Sequence, residues 1–314
     1  MPDQSYQPTL SQLRAFVTVA EFRHFGTAAA HLNVSQPTLS QALAALESGL
    51  GVRLIERSTR RVMVTTTGNH LLGYAKAVLD ASDAFVTAAD GVGEGLTGPI
   101  RIGLIPTVAP YLLPAMLPAM HEALPSVTPR IVEDRTARLL ESLRSGLLDV
   151  AVLALPSEQH GVTEIPLYDE DFVIVTPAAH EFAGRREVAV DALDGLPLLL
   201  LDEGHCLRDQ ALDLCRSVDA RPVARDTRAT SLSTVIQCVA GGLGVTLVPD
   251  SAVGVETARA QLGTARFGDP APGRTIGLVF RASSARADDY AALAEIVAAA
   301  APSPCRRHSA TSAA

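Results

Sequence analysis

No stretch of about 18 consecutive apolar residues, the length a helix needs to cross a bilayer, occurs in the 314-residue chain, so no membrane-spanning helix is expected. The opening segment, Met1 to Thr9, is polar with an acid at Asp3. It lacks the layout of a secretion signal, which favours a cytoplasmic protein with no membrane partner. Cysteine is scarce. Four thiols (Cys206, Cys215, Cys238 and Cys305) cannot staple so long a chain, and in a reducing compartment a disulfide is usually transient and functional. A basic excess is also missing: 26 lysines and arginines face 34 acids, for a net charge of -8, so any contact with nucleic acid must come from a local patch. Lysine is nearly absent, Lys76 being the only one, so cationic surface here means arginine, whose planar fork suits phosphates and guanine edges. The eight histidines have no ligand spacing and no Gly-x-Ser-x-Gly occurs, so no metal and no cofactor is expected.

What is present is apolar matter for more than one core: 47% of the residues are hydrophobic and 19% charged. At roughly 150 residues per domain the length predicts two domains. Leu10, Leu13, Phe16, Val17 and Ala20 recur at helical steps, and a shorter helix is expected from about Thr27 to Leu32. Ser35 is a good N-cap and Pro37 fits a first turn, so a third helix opens there with Leu39, Ala42, Leu43 and Leu46 as its buried stripe. Arginines at 53, 57, 60 and 61 then lead into the alternating Val62 and Val64. Three helices and a small basic hairpin predict a winged helix-turn-helix over residues 1–66. A helical period continues over 67–92 with no core of its own, which points to dimerisation, and the glycine-rich 93–99 reads as a hinge.

Beyond the hinge, strand-like runs alternate with helical segments, a βαβ rhythm that predicts parallel sheets with helices on their faces. The expected effector region, 100–302, is α/β with two lobes: about 100–168 with 273–302, and about 169–272. The tail 303–314 is rich in Ser and Ala and is expected to be disordered. Gly241-Gly242-Leu243-Gly244 follows a helix and precedes a strand, the reverse of a phosphate-binding order, and carries no nucleotide site.

On the third helix, Gln36, Thr38, Ser40 and Gln41 are short polar groups able to hydrogen-bond base edges, with Arg53, Arg57, Arg60 and Arg61 close behind for phosphates. The plainer alternative is a solvated polar face. The run Leu13-Arg14-Ala15-Phe16-Val17, Ala28-Ala29-Ala30, Leu32 through Ser40 with Pro37 inside it, Leu46-Glu47, and Leu50 through Arg57 resembles the DNA-binding domain of LysR-type transcriptional regulators. That resemblance extends over essentially the whole chain. It implies a homodimer or tetramer on double-stranded promoter DNA, working with RNA polymerase, whose effector domain has two lobes like those of periplasmic binding proteins.

The second constellation is Asp202-Glu203-Gly204-His205-Cys206-Leu207-Arg208-Asp209, followed by Cys215. A strand ends at Leu201 and a helix begins near Gly204, so Cys206 falls in a first turn, where the helix dipole favours the thiolate. His205 and Arg208 would add to that. In a continuous helix, nine residues put Cys215 roughly 13.5 Å along the axis on nearly the opposite face, whereas a disulfide needs Cα atoms within about 7 Å. Closure would therefore require the helix to unwind. Against this stands the ordinary alternative of small buried hydrophobes.

The segment Gly204 through Gln210, with Gly103 through Val108 and Arg228 through Leu232, is similar to the hydrogen-peroxide-sensing subgroup of the family. The likeness implies Cys206 as the peroxidatic thiol, Cys215 as the resolving thiol, Thr107 and Thr136 as hydroxyls that hold the peroxide, and Asp209 as an acidic partner for the departing hydroxide. It also implies an activator of oxidative-stress genes. One departure is the stretch Ala224-Arg225-Asp226-Thr227, where the subgroup carries a histidine. Cys238 is expected inside a helix and Cys305 exposed in a loose tail without a role. Two other functions fit less well: a LysR-type regulator responding to a small metabolite in the cleft, and a thiol-dependent peroxidase.

Overall fold

The structure, a computed structural model, describes residues 6–57, 62–90, 95–258 and 260–308. Two compact units divide the chain, one built on the N-terminal helices and one starting at Gly95.

The first unit opens with α1 (Leu10–Phe22), started by a capping box: the Thr9 hydroxyl accepts the Gln12 N–H, and the Gln12 side chain accepts the Thr9 N–H. Leu13, Phe16 and Val17 are buried as the period predicts, whereas Leu10 is exposed. α2 (Phe25–His31) starts two residues earlier than the periodicity indicates, because His24 caps it, its Nδ1 accepting the Thr27 N–H at 3.1 Å. α3 (Gln36–Leu50) has Ser35 as N-cap and Pro37 in its first turn. Leu39, Leu43 and Leu46 enter the core while Ala42 is only half-buried. Glu47 ties this helix to the wing by accepting the N–H groups of Leu54 (2.8 Å) and Ile55 (3.0 Å). The wing is β1 (Ile55–Arg57) paired antiparallel with β2 (Val62–Val64), and α4 (Thr66–Asp90) follows. Residues 91–94, the end of the expected linker helix and the start of the expected hinge, lie outside the described residues.

In the second unit, β3 (Gly98–Leu104), α5 (Ala109–Ala123), β4 (Val127–Glu133), α6 (Thr136–Arg144) and β5 (Val150–Leu155) form the expected parallel arrangement, ordered β4-β3-β5. The sheets are not parallel throughout. β6 (Val162–Pro177) is a 16-residue strand that serves both lobes. Its first half pairs antiparallel with β11 (Gly273–Arg281), which lies beside β5. Its second half pairs with β9 (Thr246–Pro249) and β10 (Leu262–Arg266). Only the apolar half of β6, from Phe172, reads as a strand in sequence; the half before it carries Pro166 and four acids, which mask the alternation.

The second lobe adds β7 (Pro197–Leu201) parallel to β8 (Val223–Ala229), with α7 (Cys206–Ser217), α8 (Leu232–Ala240) and α9 (Asp250–Glu256). α10 (Ala287–Ala299) returns to the first lobe, as the periodicity of Tyr290 to Ala300 indicates. Two separate cores result. One is built on Ile100, Leu104, Val150, Leu153, Leu278 and Leu293, the other on Ile174, Leu199, Ala211, Ile236 and Leu247.

The tail corrects an expectation. Residues 302–308 are a strap whose strand β12 (Arg306–Arg307) pairs antiparallel with Tyr168 and Asp169 of β6. Backbone pairing and two ion pairs, one of them bidentate, outweigh a composition that reads as disorder. The stretch beyond His308 lies outside the described residues.

Candidate redox site and nucleic-acid interface

The redox site forms where three chain turns converge. After β7, the chain reverses at Gly204, whose φ of +87° suits a residue without a Cβ. The next residue, His205, is the N-cap of α7, and Cys206 is its first helical residue. The thiol therefore sits at the positive end of a three-turn helix, as expected. From the first lobe come Thr107, in the turn after β3, and Thr136, the first residue of α6. With Ile105, Pro106, Arg135, Gly204 and His205 they line a recess around Cys206. The recess encloses about 170 Å³ including its open mouth.

The polar groups of the recess differ in how they are occupied. The Thr136 hydroxyl is buried with no hydrogen-bond partner among the described residues, and the same holds for Oε1 of Gln210, one turn along α7 from Cys206. An unpaired buried hydroxyl costs about 1–3 kcal/mol, which makes Thr136 a prepared donor or acceptor for a small polar guest. Thr107, 2% exposed, is fully anchored. Its Oγ1 accepts from Arg274 Nη1 at 2.9 Å and its carbonyl from Nη2 at 3.0 Å, leaving the hydroxyl proton free to donate.

Arg274 is the residue that sequence inspection missed. It lies on β11, completely buried, and pairs with Glu170 of β6, Nε and Nη2 both reaching Oε1 at 2.8 Å. Burial, the largest influence, works to lower its pKa. The attraction of Glu170, then of the Cys206 sulfur, and the hydrogen bond to Glu170 more than offset it and raise the pKa overall. The guanidinium is therefore permanently charged and faces a Cys206 thiolate favourably. Nothing in the sequence flags it, because Gly273-Arg274-Thr275 reads as the polar start of a strand.

The other expected site residues fall in different places. His205 is buried and lines the recess, but burial, followed by the charge of Arg135, holds its pKa below the usual histidine value. The ring is neutral and adds no positive charge beside Cys206, which corrects the expectation from sequence. Arg208 is turned to the backbone, donating to the Leu201 carbonyl at 3.0 Å, and Asp209 is exposed; neither lines the recess. Arg135 and Asp202, 3.4 Å apart, form an ion pair beside the recess between the lobes. Cys215 is buried in the second core, and burial pushes its thiol pKa up. Cys238 is half-buried on α8, against the same core. Cys305 is not exposed: it is half-buried and packs against the first core. The side chains of 224–228, where the subgroup's histidine would fall, lie outside the described residues.

In the first unit, Gln36, Pro37, Thr38 and Gln41 are exposed on the first turns of α3, and Ser40 is half-buried. Thr38 is partly committed to the cap, its Oγ1 lying 2.7 Å from that of Ser35. Gln36 and Gln41 are the freer groups for base edges. Arg53 is exposed at the base of the wing. Arg60, Arg61 and the side chain of Arg57 lie outside the described residues.

Comparison with known proteins covers both units. The family described as bacterial regulatory helix-turn-helix protein, lysR family, matches residues 10–69, and the LysR substrate binding domain matches residues 93–302. A probable hydrogen peroxide-inducible genes activator of Mycobacterium leprae is 58% identical over 297 residues, covering 95% of this chain and 96% of that protein. The DNA-binding transcriptional dual regulator OxyR of Escherichia coli K12 is 42% identical over 292 residues, covering 92% and 95%. Among solved structures, a hydrogen-peroxide-bound cysteine-to-serine mutant of Corynebacterium glutamicum OxyR is 55% identical with a TM-score of 0.67, covering 95% of this chain and 94% of that one. A full-length OxyR variant from Pseudomonas aeruginosa is 36% identical with a TM-score of 0.71, covering 93% and 95%.

Proposed function

The chain belongs to the LysR family of bacterial helix-turn-helix regulators, and on that premise we propose that its effector unit is switched through Cys206. It is a hydrogen-peroxide-sensing transcription regulator, not an enzyme, and it binds DNA as an oligomer. The observation that carries the assignment to Cys206 is its position on the first turn of α7, in a recess that also holds the unpartnered Thr136 hydroxyl.

The chemistry runs in two steps. The Cys206 thiolate attacks one peroxide oxygen, forming an S–O bond as the O–O bond breaks; the departing hydroxide takes a proton and leaves as water. Thr107 and Thr136 orient the peroxide. Because Asp209 is exposed, the proton comes from Thr107 or solvent in this reading. Cys215 then attacks the sulfenic sulfur, an S–S bond forms, and a second water leaves. Two thiols and one peroxide become one disulfide and two waters.

On the unbroken α7 the two cysteines are roughly 13.5 Å apart along the axis, so the second step unwinds the helix and draws Cys215 out of its core. That rearrangement turns the dimer or tetramer into the form that engages RNA polymerase in the cytoplasm, at oxidative-stress promoters.

A brief, near-stoichiometric peroxide pulse followed by differential alkylation and mass mapping tests this. Cys206 and Cys215 should leave the thiol pool as a linked pair. Slow, equal reaction of all four thiols would overturn it. A Cys206→Ser protein that still responds would point to a metabolite sensor, and sustained turnover with a reductant to a peroxidase.

A further inference from the structure

The C-terminal strap reaches the buried Glu170–Arg274 pair through Cys305. On β6, Asp169 and Asp171 face one way and Glu170 the other, as strand alternation requires. The strap holds the two outward acids: Arg306 is bidentate to Asp171 at 2.7 and 3.1 Å, and His308 Nε2 lies 2.9 Å from Asp169 Oδ1. The His308 N–H also donates to the Leu167 carbonyl at 2.9 Å.

One residue before this clamp, the Cys305 thiol donates to Oε2 of Glu170 at 3.9 Å, and the Ser251 hydroxyl of α9 donates to the same oxygen. Glu170 thus has one oxygen held by Ser251 with the Cys305 thiol at its outer reach, and presents the other to Arg274. Arg274 in turn holds Thr107 by both its hydroxyl and its carbonyl.

Resting on the peroxide-sensing reading above, we propose that Cys305 is a positioning residue for the Cys206 reaction, acting through Glu170, Arg274 and Thr107. Burial, then the charges of Glu170 and Asp250, push the Cys305 thiol up to about 12, so it stays protonated and is a permanent donor. Its role is neither nucleophile nor resolving thiol. It fixes the Glu170 carboxylate so that the guanidinium keeps one orientation toward the recess. With that donor removed, Ser251 alone holds Oε2, the carboxylate is freer to rotate about that one bond, the guanidinium loosens, and both its attraction for the thiolate and its hold on Thr107 weaken.

The full-length Cys305→Ala, Cys305→Ser and Arg306→Ala/His308→Ala proteins test this through two readouts. These are the second-order rate of Cys206 oxidation by hydrogen peroxide and the pH midpoint of Cys206 alkylation by iodoacetamide. Cys305→Ala and the strap double variant should slow oxidation roughly threefold to tenfold, short of the ~100-fold that an ångström of misplacement can cost. They should also raise the alkylation midpoint. Cys305→Ser, whose shorter C–O bond leaves its hydroxyl beyond hydrogen-bond reach of that oxygen, should behave as Cys305→Ala does.

Parental rate and midpoint in Cys305→Ala would overturn the proposal, as would a serine variant that keeps the parental values. If Cys305→Ala fails to fold, the double variant, altered only at exposed residues, decides the matter. Should peroxide fail to oxidise Cys206 in the parent protein, the functional reading falls, and the alkylation midpoint still judges the positioning role.

Discussion

Cys206 and Cys215 lie on one uninterrupted helix yet belong to different cores: Cys206 packs against the first lobe and Cys215 is buried in the second. The helix keeps the two thiols apart in the reduced protein, and the second core holds Cys215 in place. A bond between them must therefore disrupt α7 and a part of the lobe-II core at once. This is how a local oxidation is expected to become a change of the whole unit. Cys215→Ser should stop the reaction at the sulfenic acid on Cys206, trapped by a dimedone-type reagent and detected by mass, with no disulfide and no change in DNA footprint. It should also destabilise the reduced protein by about 1–3 kcal/mol, because a hydroxyl replaces a thiol among apolar side chains.

Thr136 offers a test in which stability and reactivity move in opposite directions. Its hydroxyl is buried and unpartnered, so Thr136→Val should raise stability by about 1–3 kcal/mol while slowing Cys206 oxidation. Chemical denaturation and peroxide-pulse kinetics on the same sample check this. A valine variant that reacts as fast as the parent would remove Thr136 from the site.

Arg274 and Glu170 form a buried ion pair, and losing one partner strands the other. Arg274→Met should cost about 3–5 kcal/mol of stability, and the double variant with Glu170→Met should recover most of it, since a buried pair is often no better than well-packed apolar residues. Reactivity should not recover in the double variant, because the charge facing Cys206 is gone. Melting curves and oxidation rates together separate the two roles.

His205 makes reduced-state stability depend on pH. Its folded pKa is depressed, burial being the main cause, so the unfolded chain takes up the proton more readily. The stability this contributes is present above the unfolded value of about 6.5 and is lost as pH falls through the folded value. The melting temperature should drop between about pH 7.5 and pH 5.5, and the drop should shrink in His205→Gln. Equal drops in both proteins would place the titration elsewhere.

On the DNA side, the exposed Gln36 and Arg53 should behave differently. Gln36→Ala is expected to cost about 1–3 kcal/mol at the operator and little on random DNA. Arg53→Ala should weaken both alike and reduce the salt slope by about 1. Salt titrations of operator and random duplexes distinguish them, and equal losses for Gln36→Ala would argue against base reading by that residue.

The N-terminal helices, the cap at Ser35, the βαβ segments and the placement of Cys206 in a helix's first turn were legible in the sequence, because each rests on interactions within a few residues: periodicity, caps, turn glycines. Thr107 and Thr136 were reached only through resemblance. Periodicity marks them as nothing more than residues at element ends.

Tertiary structure alone decided the rest. Arg274 lies 68 positions from Cys206 in sequence, and only the pairing of β11 with β6 sets its guanidinium on Glu170 and Thr107. Neutral His205 and the protonated Cys305 follow from burial, which no local pattern encodes. The strap at 302–308 looked disordered because its composition is judged residue by residue, whereas its order comes from the acids of a strand more than 130 residues earlier. The sequence by itself determined the N-terminal helices, the βαβ segments and where the reactive thiol starts a helix. Which charges surround that thiol was settled by long-range packing, since electrostatic environments depend on what the fold brings close and what it hides from water.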